Sequence, residues 1–144
     1  MTQTQKQTDN MPTRILHAML RVGDLERSLE FYCNILGMKE LRREDYPEGK
    51  FTLSFIGYGD EDQNTVLELT YNYGEKNYTH GSGFGHIALA VTDIYAASKR
   101  LEDMGVKILR QPGPMTHTAD TGQRDVIAFA EDPDGYRVEL IEVT

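Results

Sequence analysis

With 144 residues, 39% of them apolar and 26% charged, the chain has the size and composition of one ordinary globular domain, or of two small halves sharing a core. A net charge of −8 argues against nucleic acid or an anionic membrane as a partner, and no apolar stretch approaches the length needed to cross a bilayer. A lone cysteine, Cys33, rules out an intramolecular disulfide and fits a reducing, cytoplasmic setting.

Residues 1–13 are polar, contain no segment suited to a secretory signal, and read as a disordered tail. A strand is expected over 14–22, ending at Gly23-Asp24. A helix follows with Leu25, Leu29, Tyr32, Ile35 and Leu36 at its apolar positions. Asp24 suits its N-cap, and Gly37 can end it in the left-handed conformation. Strands near 38–43, 51–58 and 65–71 complete a first half, with a boundary near 74–82. The second half repeats the order. Strand 86–91 leads to a helix capped by Thr92 or Asp93, with Ile94, Ala97, Leu101 and Met104 on one face and Gly105 at its end. Strands near 106–110, 125–130 and 136–143 follow, the last two joined by the turn sequence Glu131-Asp132-Pro133-Asp134-Gly135. Each half therefore reads β-α-β-β-β, which predicts an α+β protein of two modules, 14–80 and 81–144.

Four metal-capable side chains sit inside these apolar runs at a repeated spacing. His17 and Glu68 are 51 residues apart and His86 and Glu139 are 53 apart. An imidazole or carboxylate placed in a strand without a partner is costly, and convergence of all four on one cation would remove the cost. Period-two alternation puts Leu16, Ala18, Leu20 and Val22 on one face of the first strand and His17, Met19 and Arg21 on the other. In the second half Ile87, Leu89 and Val91 oppose His86, Ala88 and Ala90. The apolar sets are expected to pack on the helices, and the histidine-bearing sets to line the concave face of a curved sheet.

Taken singly, these residues have plainer explanations. A lone strand histidine is usually a hydrogen-bonded core or surface residue, and a lone strand glutamate usually faces solvent; Glu142, without a counterpart in the first half, is of that kind. Arg21 suits an ordinary ion pair and Asn72 a turn. Cys33 reads as a packed thiol, and His80 and His117 as solvated loop residues. Repetition of the His–Glu pair outweighs those explanations for His17, Glu68, His86 and Glu139 alone.

Four segments, Leu16–Asp24, Leu67–Gly74, Phe84–Ala88 and Glu131–Glu142, make the chain from residue 14 onward resemble the glyoxalase I (lactoylglutathione lyase) family of the vicinal oxygen chelate superfamily. The resemblance implies curved sheets completed across a homodimer, with one divalent metal per site held by His17 and Glu68 of one subunit and His86 and Glu139 of the other. It implies isomerisation of the hemithioacetal of methylglyoxal and glutathione to S-lactoylglutathione, with Glu139 as base and Glu68 assisting. Arg21 and Asn72 match positions that contact the glutathione co-substrate; His86 and Arg124 are further candidate substrate contacts. The polar tail lacks the helical arm of many zinc-type members, favouring Ni2+ or Co2+ over Zn2+, whereas the long loop Met115–Arg124 weighs against a compact nickel-type member. Gly81-Ser82-Gly83 stands where zinc-type members carry a basic residue. Two alternatives remain: a related dioxygenase or thiol transferase, which would use three protein ligands, and a metal-free sequestering protein, which needs none.

Overall fold

The computed structural model describes residues 10–144. The expected tail therefore lies largely outside the described residues. The elements run β1 (His17–Arg21), α1 (Leu25–Leu29), a π-helical stretch (Glu30–Ile35), β2 (Lys39–Tyr46), β3 (Phe51–Gly57), β4 (Val66–Asn72), β5 (His86–Val91), α2 (Ile94–Asp103), β6 (Lys107–Pro114), β7 (Val126–Glu131) and β8 (Arg137–Glu142). They form two four-stranded sheets in the orders β1-β4-β3-β2 and β5-β8-β7-β6. In each, the first strand runs parallel to the last, because the helix carries the chain across the sheet before a meander returns it. The sheets are open, not closed into barrels.

One hydrophobic core spans both modules. It joins Leu20, Val22, Leu25, Tyr32, Ile56 and Leu69 of the first to Ile94, Leu101, Val138 and Leu140 of the second. Leu20 and Val22 turn inward as alternation requires, while His17, Met19 and Arg21 face out. Leu16 and Ala18 depart from expectation and are exposed, because core packing reaches only the latter half of β1. Both helix N-caps form: the Asp24 carboxylate accepts from the Arg27 amide, and Asp93, not Thr92, accepts from the Ala96 amide. Gly37 and Gly105 end the helical segments at φ of 81° and 86°.

The first helical segment is not α-helical throughout. From Glu30 it widens into π geometry, with the Leu36 amide bonding to the Phe31 carbonyl at 2.9 Å. Neighbouring Phe31 and Tyr32 are both buried there, which a narrower α-helix presents less readily on one face. Strands β2 and β6 are longer than the sequence suggests, reaching Tyr46 and Pro114. Both are sheet edges, where charged residues and prolines are tolerated because one row of backbone groups has no strand partner.

Candidate active site

His17 and Glu68 occupy a diagonal across the parallel pair β1–β4: Glu68 is opposite Met19, two residues beyond His17. His86 and Glu139 repeat it on β5–β8, with Glu139 opposite Ala88. The imidazole Nε2 lies 3.8 Å from a Glu68 oxygen in the first sheet and 3.0 Å from a Glu139 oxygen in the second. The glutamate side chains are mostly buried, at 15% and 12% exposure, while the histidines remain accessible at 34% and 42%.

The third strand of each sheet completes the repeat. Phe55 is opposite Glu68 and Phe129 opposite Glu139. Each ring meets its histidine edge-on, at 5.4 Å and 77° in one sheet and 5.3 Å and 79° in the other. These contacts fix the imidazole planes and shield one side of each from water. Sequence reasoning passed over both phenylalanines, since an aromatic residue in a strand reads as core. The signal available was that each is the strand aromatic in register with a candidate glutamate.

Chemically the set is two imidazole nitrogens and two carboxylates. Among the described residues, no other side chain hydrogen-bonds to Glu68 or Glu139. Oxygens with free lone pairs beside an imidazole nitrogen suit a divalent cation of borderline softness. Among the described residues, no group of three or more His, Cys, Asp or Glu side chains is placed to hold a metal ion, and each sheet carries one His–Glu pair.

Around the first pair, the Arg42 guanidinium lies 3.6 Å above the Phe55 ring and is held by Glu61 and Glu44. Arg21 is exposed on the same face of β1 as His17, and its guanidinium has no hydrogen bond or ion pair among the described residues. Asn72 ends β4, half-buried, and donates to the Tyr78 hydroxyl at 3.2 Å. Arg124 is placed elsewhere: its Nε donates to the Met115 carbonyl at 2.6 Å, tying the base of the 115–125 loop. His117 is exposed in that loop. His80 departs from the solvated expectation; it is half-buried and stacks on Tyr136, with ring centroids 4.1 Å apart and planes 4° from parallel. Glu142 caps α2 by accepting from the Ile94 amide at 3.0 Å, a structural use consistent with its unpaired place in the sequence.

The Glu131–Gly135 turn also joins the modules. Asp132, 4% exposed, accepts from the Tyr32 hydroxyl at 2.7 Å and from the Asp134 and Tyr136 amides. Burial pushes its carboxyl pKa up despite these bonds, and burial together with the facing Asp132 pushes the Tyr32 phenol far up. Asp134 accepts from the Gly23 amide, Arg27 and the Ser28 hydroxyl, and the Tyr136 hydroxyl donates to the Arg21 carbonyl at 2.8 Å. The strand that carries His17 and Arg21 is thus braced by the turn that precedes Glu139.

Residues 14–140 match the Glyoxalase/Bleomycin resistance protein/Dioxygenase superfamily, and the chain belongs to it. It is 56% identical over 130 residues to a probable lactoylglutathione lyase of Synechocystis, covering 90% of this chain and 95% of that protein. It is 56% identical over 129 residues to the lactoylglutathione lyase of Neisseria meningitidis serogroup A, covering 90% of each. Glyoxalase I from Zea mays superposes with a TM-score of 0.82 at 47% identity, over 91% of this chain; the chain spans only 45% of the maize chain. Identity at this level over nearly full length places the chain among the lactoylglutathione lyases, and it is an enzyme of that kind.

Proposed function

We propose that the chain isomerises the hemithioacetal of methylglyoxal and glutathione to S-lactoylglutathione, in a homodimer whose sites are each built from His17 and Glu68 of one subunit and His86 and Glu139 of the other. The observation that carries this reading is the identical His–Glu diagonal, backed by phenylalanine, in two sheets that each supply only half of a four-ligand set. The modules 14–80 and 81–144 are the units of that arrangement, and the cytoplasm is the compartment that the unpaired Cys33 and the glutathione substrate suit.

His17, Glu68, His86 and Glu139 would hold a divalent cation, Ni2+ or Co2+ in preference to Zn2+, which when bound would supply Lewis-acid polarisation to the substrate oxygens. Arg21 meets a carboxylate of the thiol co-substrate, and Asn72 orients the same portion. The Glu139 carboxylate takes the proton from the carbon bearing sulfur, the electron pair moves toward the neighbouring carbonyl to leave an enediolate, and the proton is returned to that neighbouring carbon. Glu68 assists from the opposite side. The net change moves one proton between the adjacent carbons and shifts the hydroxyl proton from the first oxygen to the second, so no electron carrier enters the balance. His17 and His86, held edge-on by Phe55 and Phe129, keep the two carboxylates in place.

The test is metal-stripped protein titrated separately with nickel, cobalt and zinc while S-lactoylglutathione formation is followed. Activity should return with one equivalent of metal per site and be highest with nickel or cobalt. Full activity in the stripped protein would overturn the metal-dependent reading.

A further inference from the structure

Leu41 is an extra residue in β2. The pairing of β2 with β3 slips between Glu40 and Arg42, so Arg42 and not Leu41 stands opposite Phe55. Opposed residues share a face of the sheet, and the slip therefore sets a guanidinium on the buried ring that meets His17. The Arg42 Cζ lies 3.6 Å from the centre of that ring. Two carboxylates hold it there. Arg42 donates to Glu61 from Nε at 2.8 Å and from one terminal nitrogen at 3.2 Å, and its other terminal nitrogen pairs with Glu44.

Glu61 is in turn tied to the strand of His17. Arg14 donates to its carbonyl at 2.6 Å, and Thr65, at the end of the same loop, donates to the Ile15 carbonyl at 2.8 Å. The two half-sites need this support unequally. His86 Nε2 is 3.0 Å from Glu139, whereas His17 Nε2 is 3.8 Å from Glu68, beyond hydrogen-bonding reach. The orientation of the His17 ring therefore depends on Phe55, and a guanidinium lying on Phe55 keeps that ring from turning. Among the described residues no cation lies over Phe129, because Arg110 gives its donors to backbone carbonyls.

We infer that Arg42 is a positioning residue for the metal site: clamped by Glu61 and Glu44, it fixes Phe55 and, through it, the plane of the His17 imidazole. This rests on the metal-dependent reading above. The ordinary alternative is a surface ion pair, whose loss would leave His17 undisturbed.

The experiment titrates metal-stripped, full-length protein with nickel, cobalt and zinc by calorimetry and compares variants on the metal bound most tightly. Histidine ring protons are followed by NMR in the metal-free state, with His17 assigned by its loss in His17→Gln. Arg42→Ala should weaken metal binding about three- to tenfold, less than the roughly ten- to hundredfold cost of removing a direct partner of a metal-bound histidine. It should also shift the His17 ring protons while those of His86 stay in place. Arg42→Lys, which keeps the charge but not the flat fork, should recover part of the affinity. Arg110→Ala should lower the thermal midpoint and leave metal affinity unchanged. Equal affinity in the unmodified and Arg42→Ala proteins, or an equal loss in Arg110→Ala, overturns the inference and leaves metal dependence intact. No binding of any of the three metals by the unmodified protein would remove the metal-dependent reading, and this inference with it.

Discussion

In the first sheet the guanidinium of Arg42 lies over Phe55, whereas its register counterpart in the second sheet, Arg110, opposite Phe129, bonds to the carbonyls of Gly113, Pro114 and Ile127. Both arginines follow a register shift in an edge strand. The helices differ as well: α1 gives way to a π-helical stretch, while α2 is regular for ten residues. Ser28 near the first finds Asp134, and Ser98 on the second is buried with no hydrogen-bond partner among the described residues. The His–Glu–Phe rows keep both register and side-chain contacts in the two sheets. Two similar modules thus differ in helix geometry, loop length and edge chemistry while the His–Glu–Phe positions on their strands keep the same side chains.

The comparison would break first at the two glutamates. Glu139→Gln should lower kcat about 10²–10⁴-fold, the usual worth of a general base, and Glu68→Gln should lower it less, both with metal content measured. Equal losses at equal metal content would make the halves functionally symmetric. Next in size is a mixture of His17→Ala and Glu139→Ala proteins, each inactive alone, under conditions allowing subunit exchange. If each module serves a different site, a heterodimer collects both lesions in one site and leaves the other intact. A statistical mixture should then recover about a quarter of unmodified activity. No recovery with heterodimers demonstrated would place all four ligands in one chain. A smaller effect belongs to Arg21→Ala, which should raise KM about ten- to hundredfold with kcat nearly unchanged, as expected when a charge-assisted contact of about 1.5–3 kcal/mol is lost. An unchanged KM would remove Arg21 from the substrate site.

The smallest effects concern pH and carry opposite signs in the two halves. In the second half Asp132 has its carboxyl pKa raised by burial above its ordinary 3.8. A raised folded-state value means stability fully present below 3.8 and lost as pH rises through the folded value. In the first half burial also pulls Glu40 upward, but hydrogen bonds from Arg43 and Ser54 outweigh it and leave its pKa below the ordinary 4.5. Its contribution is present above 4.5 and lost as pH falls through the folded value. Urea unfolding across the acid range should show Asp132→Asn flattening the fall in stability above 3.8, and Glu40→Gln flattening the fall below 4.5. Slopes unchanged by either substitution would show that neither group is coupled to folding.

Much of this architecture was legible in the residues. The element order, the Asp24 cap, the position of the second cap at Thr92 or Asp93 and the glycine stops followed from local chemistry, and strand alternation put His17 and His86 on outward faces because Leu20, Val22, Ile87 and Leu89 had to face the core. What escaped had physical causes. The π-helical stretch leaves no periodic signature over six residues. The extensions of β2 through Glu44–Tyr46 and of β6 through Gln111–Pro114 lie on sheet edges, where charged residues and prolines are tolerated and the strand signal is weak. His80 stacks on a residue 56 positions away, a contact that nothing local announces. Phe55 and Phe129 were hidden by their type, since buried aromatics in strands are expected whether or not they touch a site.

Gly23 bears on how such a protein could have arisen by duplication. Its α-carbon is pressed by the carbonyl of Lys76, and its amide is taken by Asp134 of the other module. A half-length ancestor ending near residue 80 would leave this amide, and the hydroxyls of Ser28 and Tyr32, without the acceptors that residues 132–134 now provide. Such an ancestor would have had to borrow equivalent acceptors from a second copy of itself. Fusion of the two copies would make that intermolecular neighbour a permanent covalent one.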